Sequence, residues 1–482
     1  KWRKTQLKKQ MMKQKLYKII LVITAALSLA SCGIYKQYER PDISFADSLY
    51  RRLPAQSDTT NIAMLRWDEL FTDPILQEWI RIGVENNTDL KVAKQRIDIA
   101  RANLNAARWA LLPGATASVS GGTPGTVTIG ADISWEADIF GKLRNTKKGA
   151  VAAVEESIAN KQAVQSLLVA TIAGYYYNLL VLDEKLNTSR HTMNNWEENI
   201  RTMEALKRAG KTTEAAVLQA KANKLKIEAS IYTMEHTIQT VENEFSALLG
   251  IVPMKIKRGN LEEQNFPSEL SEGVPVQLLA RRPDIRQAEQ ALIQKFYLTN
   301  AARAYFYPNL TLSGSLGWTN GNGSMVVNPA GLIAGVVGSL VQPIFARGAN
   351  KARLKTAQAE QEIALYNFRQ TILDAGINVN DAISKWQTAQ KRLEVNKKQV
   401  VHLQAAVWNT KLLMKRGSTN YLEVLTAQQN LLDAELTCIS DRYDQIVSII
   451  SLYRALGGGY DPAEDAPAET PKTKKQKKNK KS

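Results

Sequence analysis

Three acidic residues, Asp132, Glu136 and Asp138, sit on or beside one polar stretch of alternating sequence. Carboxylates grouped in this way are raw material for general acid–base chemistry, one donating a proton and its partner accepting one. No set of nucleophile, base and orienting residue accompanies them. Lining of a water-filled passage is therefore the reading preferred here. The histidines His191, His236 and His402 fall in separate helical stretches without metal-ligand spacing. No Gly-rich loop follows a strand and opens a helix with a lysine, so phosphate cradling has no support. Gly457-Gly458-Gly459 reads as a helix stop. Neither an enzyme nor a bound metal or cofactor is expected.

The two cysteines differ in kind. Cys32 ends the segment Leu29-Ala30-Ser31-Cys32-Gly33. Before it come Lys13, Lys15 and Lys18, then an apolar run from Ile19 to Leu29. That run is too short to span a bilayer and has the length of a signal-peptide core. The segment resembles a bacterial lipobox, in which cleavage exposes the cysteine and its thiol receives acyl chains such as palmitate. Several chains at about 0.8 kcal/mol per buried methylene make a stable anchor. Translation is expected to start at Met11 or Met12. Cys438 lies far along a helical repeat and reads as a small buried hydrophobe.

The formal charge of +17 over 482 residues suggests nucleic acid, but its placement does not. Residues 1–18 hold eight Lys/Arg and residues 471–482 seven Lys, neither with an acid, which leaves the body at +2. A basic face that reads nucleic acid is excluded on this ground. The Lys-rich end follows an acidic, Pro/Ala-rich linker, and residues 460–482 read as a solvated tail.

What must position any functional residue is a set of very long helices. Leu365, Phe368, Ile372, Ala375, Val379, Ala382, Trp386, Ala389 and Leu393 keep the spacing of three and four that marks a coiled-coil seam. The seam slips at Asn396, resumes at Val400, Leu403 and Val407, and ends at Met414. A helix from about Arg347 to Lys415 is on the order of 100 Å long. A turn follows at residues 415–420, with Gly417 suited to a C-cap and Ser418 or Thr419 to an N-cap. A return seam runs Leu422, Leu425, Leu432, Leu436, Ile439, Tyr443, Ile446, Ile450, Tyr453. The first half repeats the plan. Leu168, Ile172, Tyr175, Leu179, Leu182, Leu186, Met193, Trp196, Ile200 and Met203 lead to a turn around Gly210. Ile227, Ile231, Met234, Ile238, Val241, Phe245 and Leu248 lead back. Pro113 and Pro308, Ala173-Gly174 and Ala375-Gly376, and Gly210 and Gly417 lie 195, 202 and 207 residues apart, which is the mark of a duplication.

Between the helices the grammar changes to period two. Val127, Ile129, Ala131, Ile133 and Trp135 alternate with Thr128, Gly130, Asp132, Ser134 and Glu136. Leu310, Leu312, Leu316 and Trp318 alternate with Thr311, Ser313, Ser315 and Gly317. Strands are expected at about 115–120, 126–138, 310–319 and 331–342. Such strands suit an outer membrane, with lipid on one face and water on the other. Four strands in lipid leave unpaired edges, so copies must associate to close a barrel; the residues alone do not choose between two, three or four copies.

With these elements in place, the chain resembles the TolC-like outer-membrane efflux proteins, and within them the lipoprotein subgroup. The resemblance runs from Cys32 to about residue 460. It rests on Tyr38-Glu39-Arg40-Pro41, Trp67 to Pro74, Arg281-Arg282-Pro283-Asp284-Ile285, Tyr307-Pro308-Asn309-Leu310 and Leu452 to Gly459. It implies a mainly α protein whose duplicated antiparallel hairpins form a periplasmic α-barrel. Four strands per protomer join a homotrimeric twelve-stranded outer-membrane β-barrel. It also implies that helical tips meet a periplasmic adaptor (membrane fusion) protein. The adaptor links to an inner-membrane pump of RND or ABC type. By that resemblance, Ala209, Gly210, Arg416, Gly417 and Ser418 are docking tips. Glu423 and Thr426 fall at the periplasmic entrance, where Thr426 replaces an acid often found there. Thr128, Asp132, Ser134, Glu136, Thr311, Ser313 and Ser315 line the lumen. Arg281-Arg282-Pro283-Asp284 reads as a helix start, with Pro283 in the first turn and Asp284 facing the helix dipole. The expected organisation is a signal peptide (1–31), a lipidated segment (32–75), two repeats (76–265 and 266–459) and the tail. The expected function is passive export of small molecules, drugs and toxic solutes through this duct; export of proteins or peptides through the same duct is the alternative.

Overall fold

The computed structural model describes residues 35, 37–43, 65–122, 126–264, 266, 281–319, 332–416, 419 and 421–460. The signal segment, Cys32, Gly417, Ser418 and the Lys-rich tail lie outside them. In chain order the described elements are α1 (Trp67–Leu70), α2 (Pro74–Asn86), α3 (Thr88–Trp109), β1 (Gly114–Gly122), β2 (Thr126–Ala137), α4 (Lys142–Arg208), α5 (Glu214–Leu249), α6 (Pro283–Ala304), β3 (Asn309–Thr319), β4 (Leu332–Val341), α7 (Ala349–Lys415) and α8 (Tyr421–Ala455).

Two glycines with left-handed backbone, Gly141 (φ 71°) and Gly348 (φ 82°), each stand immediately before a helix of 67 residues, α4 and α7. Glycine alone takes that conformation without a Cβ penalty. The second long helix was expected to begin at about Arg347. It begins at Ala349 because Arg347 is also left-handed, at φ 48°, and cannot continue a right-handed helix.

The described residues fall into two compact units. The first takes its residues from 1–43, 97–157 and 288–369. Its centre is an antiparallel sheet in the order β1-β2-β3-β4. β1 starts, β2 ends, β3 starts and β4 ends at one end of that sheet, so all the helical connections leave from there. Around them Phe140 stacks on Tyr307 at 4.9 Å, and the Tyr305 ring lies under Arg353 at 4.0 Å and Lys142 at 5.1 Å. The Tyr38-Glu39-Arg40-Pro41 motif packs here too. Arg40 pairs with Glu289 at 3.0 Å and covers Phe368, while Tyr38 meets Phe296 edge-on. Burial pushes the Tyr38 hydroxyl up to about 12.

The second unit takes its residues from 44–96, 158–287 and 370–482. Its core is the set of seams read from the sequence. Ile372, Ala375, Val379, Ala382, Trp386, Ala389 and Leu393 of α7 are all buried, as are Leu168, Ile172, Leu179, Trp196 and Met203 of α4. Each such Leu, Ile or Phe contributes about 1.5–3 kcal/mol through burial. One stretch of α4 is long and apolar enough to cross a membrane, but most of it is buried against neighbouring helices. The α8 seam differs from expectation at its start. Leu422 is 64% exposed, while Tyr421, Val424 and Leu425 are buried. The seam enters at Tyr421, and a shift of one residue turns a side chain through about 100° on the helix.

The stretch from Trp67 to Pro74 has a physical role in the fold. Asp73 caps α2 by accepting from the Ile75 amide at 2.8 Å, and Pro74 fills the first helical position. The other Asp73 oxygen accepts from the buried Tyr176 hydroxyl at 2.6 Å and from Gln264 at 2.9 Å. Arg258, in the segment after α5, bridges Asp183 of α4 and Glu242 of α5, each at 2.5 Å.

Candidate membrane sheet, helical tips and entrance

The register decides which side chains share a face. β2 pairs with β3 as Asp132 with Ser315, Ser134 with Ser313 and Glu136 with Thr311. β1 adds Thr116 opposite Asp132 and Ser120 opposite Thr128. Directly opposed residues of antiparallel strands point to the same side. All seven lumen residues expected from the sequence, Thr128 included, therefore lie on one face. The other face carries Val119, Ile129 and Trp318 in one row, Ile133 and Val336 in another, and Leu310 beside Leu340. That face is open to its surroundings: Val119 is 74% exposed and Val336 88%. Strands of 9–12 residues have the length that tilted strands need to cross an outer membrane. Separation of polar and apolar faces on strands of that length is what a barrel wall between lipid and water requires; β1, β2 and β3 show it, while Val337 and Val341 of β4 stand on the polar face opposite Ser313 and Asn309. Among the described residues β1 and β4 form the two edges of the sheet.

The three carboxylates are not arranged for acid–base work. Asp138 accepts from the amides of Leu143 and Arg144, each at 2.8 Å, so it caps the start of α4. Glu136 pairs with Lys142 at 2.5 Å. Asp132 faces the polar side of the sheet, opposite Thr116 and Ser315.

The first tip is a tight helical turn. Gly210 has φ 69°; the Lys211 amide donates to the Leu206 carbonyl and the Gly210 amide to the Lys207 carbonyl, each at 2.9 Å. This is a Schellman arrangement with Gly210 in the left-handed position. Ala209 is exposed beside it. Thr213 caps α5 by accepting from the Ala216 amide, and Lys207 pairs with Glu214 across the turn. Ion pairs Lys221–Glu204 and Lys224–Glu197, at 2.7 and 2.6 Å, continue up the hairpin. At the second tip Arg416 is exposed and its amide donates to Leu412 and Leu413; Gly417 and Ser418 lie outside the described residues. Thr419 was expected as one of two candidates to cap the return helix. Its hydroxyl instead donates to the Glu423 carboxylate, because α8 begins only at Tyr421. Glu423 and Thr426 are both exposed, and the Thr426 hydroxyl donates to the Leu422 carbonyl at 2.9 Å.

Two groupings escaped the sequence. Arg282 is buried at 6% exposure and donates to the Ala455 carbonyl at 2.8 Å and the Ala375 carbonyl at 3.4 Å, while gripping Asp284 at 2.6 Å. It closes the end of α8, a role that spacing along the chain does not signal. His191, Glu184, Glu435 and Cys438 line one cleft of about 420 Å³, although His191 and Cys438 are 247 positions apart. Burial raises the pKa of Glu184, Glu435 and Cys438 there. Among the described residues no three metal-capable side chains converge.

Long antiparallel helical hairpins and a four-stranded antiparallel sheet of membrane-spanning strand length define a class of mainly helical outer-membrane channel proteins. The profile of the outer membrane efflux protein family matches residues 79–251 and 274–458. The chain belongs to that family. It is 29% identical to "Probable outer membrane lipoprotein SilC" of Salmonella typhimurium, over 92% of this chain and 98% of that one. It is 28% identical to "Cation efflux system protein CusC" of Escherichia coli, with the same coverage, and 26% identical to "Toluene efflux pump outer membrane protein TtgF" of Pseudomonas putida, over 93% and 98%. Among solved structures, the outer-membrane channel OprN superposes with a TM-score of 0.80 at 28% identity, covering 89% of this chain and 99% of that one. The open-state MtrE channel of Neisseria gonorrhoeae gives 0.80 at 26%, covering 89% and 98%. The protein is thus an outer-membrane efflux channel component, with the mainly helical fold and four antiparallel strands of its relatives.

Proposed function

We propose that three copies of this chain close a twelve-stranded barrel and export small solutes passively through its bore. The observation that carries this reading is the sheet: β1, β2 and β3 separate polar from apolar faces, and among the described residues β1 and β4 form its outer edges. In lipid those edges must be paired, and a neighbouring copy offers a matching strand. Eight strands is about the smallest closed membrane barrel; the resemblance to the efflux family favours twelve. The helix starts Lys142 and Ala349 and the tips Gly210 and Gly417 share one offset of 207 residues, which supports a duplicated unit supplying one hairpin and one strand pair per half.

In this reading Cys32 carries the lipid anchor. Ala209, Gly210, Arg416, Gly417 and Ser418 meet a periplasmic adaptor, which connects to an inner-membrane pump of RND or ABC type. Glu423 sets the charge at the entrance and Thr426 leaves it weaker than two acids would. Thr128, Asp132, Ser134, Glu136, Thr311, Ser313 and Ser315 wet the bore. The relatives named for cations and for toluene support small solutes as the cargo.

The test is photo-crosslinking from Ser418 and from Ala209 in intact cells, with captured partners identified by mass spectrometry. An adaptor together with a proton-driven pump is the expected result. An adaptor with an ATP-driven exporter moves the cargo to proteins or peptides. Absence of any adaptor at both tips contradicts the docking assignment.

A further inference from the structure

The near-neutral body conceals a strong local charge. Stretches 100–113, 138–148, 303–308 and 343–355, which flank the sheet at the end where its helices leave, hold eleven Lys/Arg and one acid, Asp138. Asp138 holds Arg144, and Glu136 at the strand end holds Lys142. Arg108, Arg347, Lys351 and Lys355 are exposed and have no carboxylate partner among the described residues. Lys351 and Lys355 stand four apart on α7, where like charges repel. Among the described residues no carboxylate pairs with either lysine, so an external anion is a natural complement.

Large apolar side chains stand at the same level. Trp109 is 70% exposed, Phe345 84% and Ile344 97%. Trp135 of the apolar sheet face donates its indole N–H to the Leu111 carbonyl at 3.0 Å, which ties the Trp109–Leu112 segment to the apolar side of the sheet. Aromatic residues flanking an apolar strand band mark the headgroup level of a bilayer. Cations at that depth reach phosphate with their charged ends while their stems stay among acyl chains.

We propose that this basic and aromatic collar, centred on Arg108, Arg347, Lys351 and Lys355, binds the headgroups of anionic phospholipids in the leaflet that faces the helices. The proposal rests on the sheet spanning the membrane. It assigns the collar a lipid class, which membrane spanning alone does not. The binding is electrostatic, so added salt weakens it.

The experiment reconstitutes the full-length protein and the variant Arg108→Gln/Arg347→Gln/Lys351→Gln/Lys355→Gln in vesicles of phosphatidylethanolamine with phosphatidylglycerol. Lipid retained on the purified protein is then quantified at low and high salt. The wild-type protein is expected to enrich phosphatidylglycerol over its bulk fraction, and the variant to lose roughly ten-fold of that enrichment. Heat-sensitive oligomer on gels and protease protection report insertion separately. Both proteins inserted with equal and salt-independent lipid composition overturns the collar proposal while leaving the membrane reading intact. Failure of the wild type to insert overturns the membrane reading itself. A variant with unchanged lipid but altered ion selectivity in planar bilayers places these cations in the bore and also overturns the proposal.

Discussion

Asn396 of α7 donates its side-chain amide to the carboxylate of Asp441 in α8, a group only 1% exposed to solvent. Arg392, one turn earlier, donates to the other oxygen at 2.5 Å and also reaches Asp444. The slip of the apolar seam at Asn396 is thus where a polar clasp replaces an apolar knob. A buried charge left with fewer partners is costly. Arg392→Ala is expected to destabilise the protein by about 2–3 kcal/mol, and Asp441→Asn by less, because an amide needs no counter-charge. Thermal melts followed by circular dichroism check the order; an Asp441→Asn change as severe as Arg392→Ala contradicts it.

Arg282 makes a second such prediction. Its planar fork satisfies two helix carbonyls and Asp284 at once. Arg282→Ala orphans these buried groups and is expected to cost about 2–4 kcal/mol. Arg282→Lys should recover only part, since a point charge cannot reproduce the fork. Gly457→Ala should be costly independently: its φ is 89°, and an added Cβ would lie 3.4 Å from the Arg282 backbone. Full recovery by Arg282→Lys would show that charge alone suffices there.

Burial raises the Glu156 carboxyl above its ordinary range, and the smaller opposing effect of Lys295 does not cancel it. Lys295 is itself held by Glu360 at 2.9 Å. The folded state therefore binds this proton more tightly than the unfolded one. Its stabilising contribution is present below the unfolded carboxyl pKa of about 4.3 and is lost as pH rises through the folded value. Glu156→Gln should raise Tm relative to the wild type at pH ~7, with the gain shrinking towards pH ~4. A gain equal at both pH values contradicts the assignment.

The entrance gives a functional prediction. Thr426 stands one turn beyond Glu423, and both are exposed. Thr426→Glu is expected to increase cation preference in planar-bilayer reversal potentials, and Glu423→Gln to lower it. Coulomb energy between unit charges a few ångströms apart near a surface is a few kcal/mol, so shifts of several-fold in the permeability ratio are expected, diminishing with salt. No shift in either variant would remove both residues from the conduction path.

Much of this architecture is legible because its signals are periodic. The run from Phe368 to Leu393 is buried as its spacing predicts, and Gly210 adopts the left-handed turn its type implies. β4 was harder to read, since it is Gly-rich and carries valines on both faces; pairing with β3 sets Val336 on the apolar face and Val337 and Val341 on the polar one. Leu422 misled because Tyr421, an amphipathic residue, begins the seam in its place. Arg282, Asp441 and the His191–Cys438 cleft depend on contacts between distant segments, which no local pattern encodes. The collar was hidden by averaging: an overall charge near zero says nothing of where the two signs are kept.

The central claim is that the sheet separates lipid from water. Its most direct test is cysteine labelling along β2 in a Cys438→Ser background, with Thr128→Cys, Ile129→Cys, Asp132→Cys, Ile133→Cys, Ser134→Cys and Trp135→Cys each reconstituted in vesicles. A charged, membrane-impermeant maleimide should modify positions 128, 132 and 134 and spare 129, 133 and 135. Equal labelling at odd and even positions would contradict a membrane-spanning sheet with a water-filled bore.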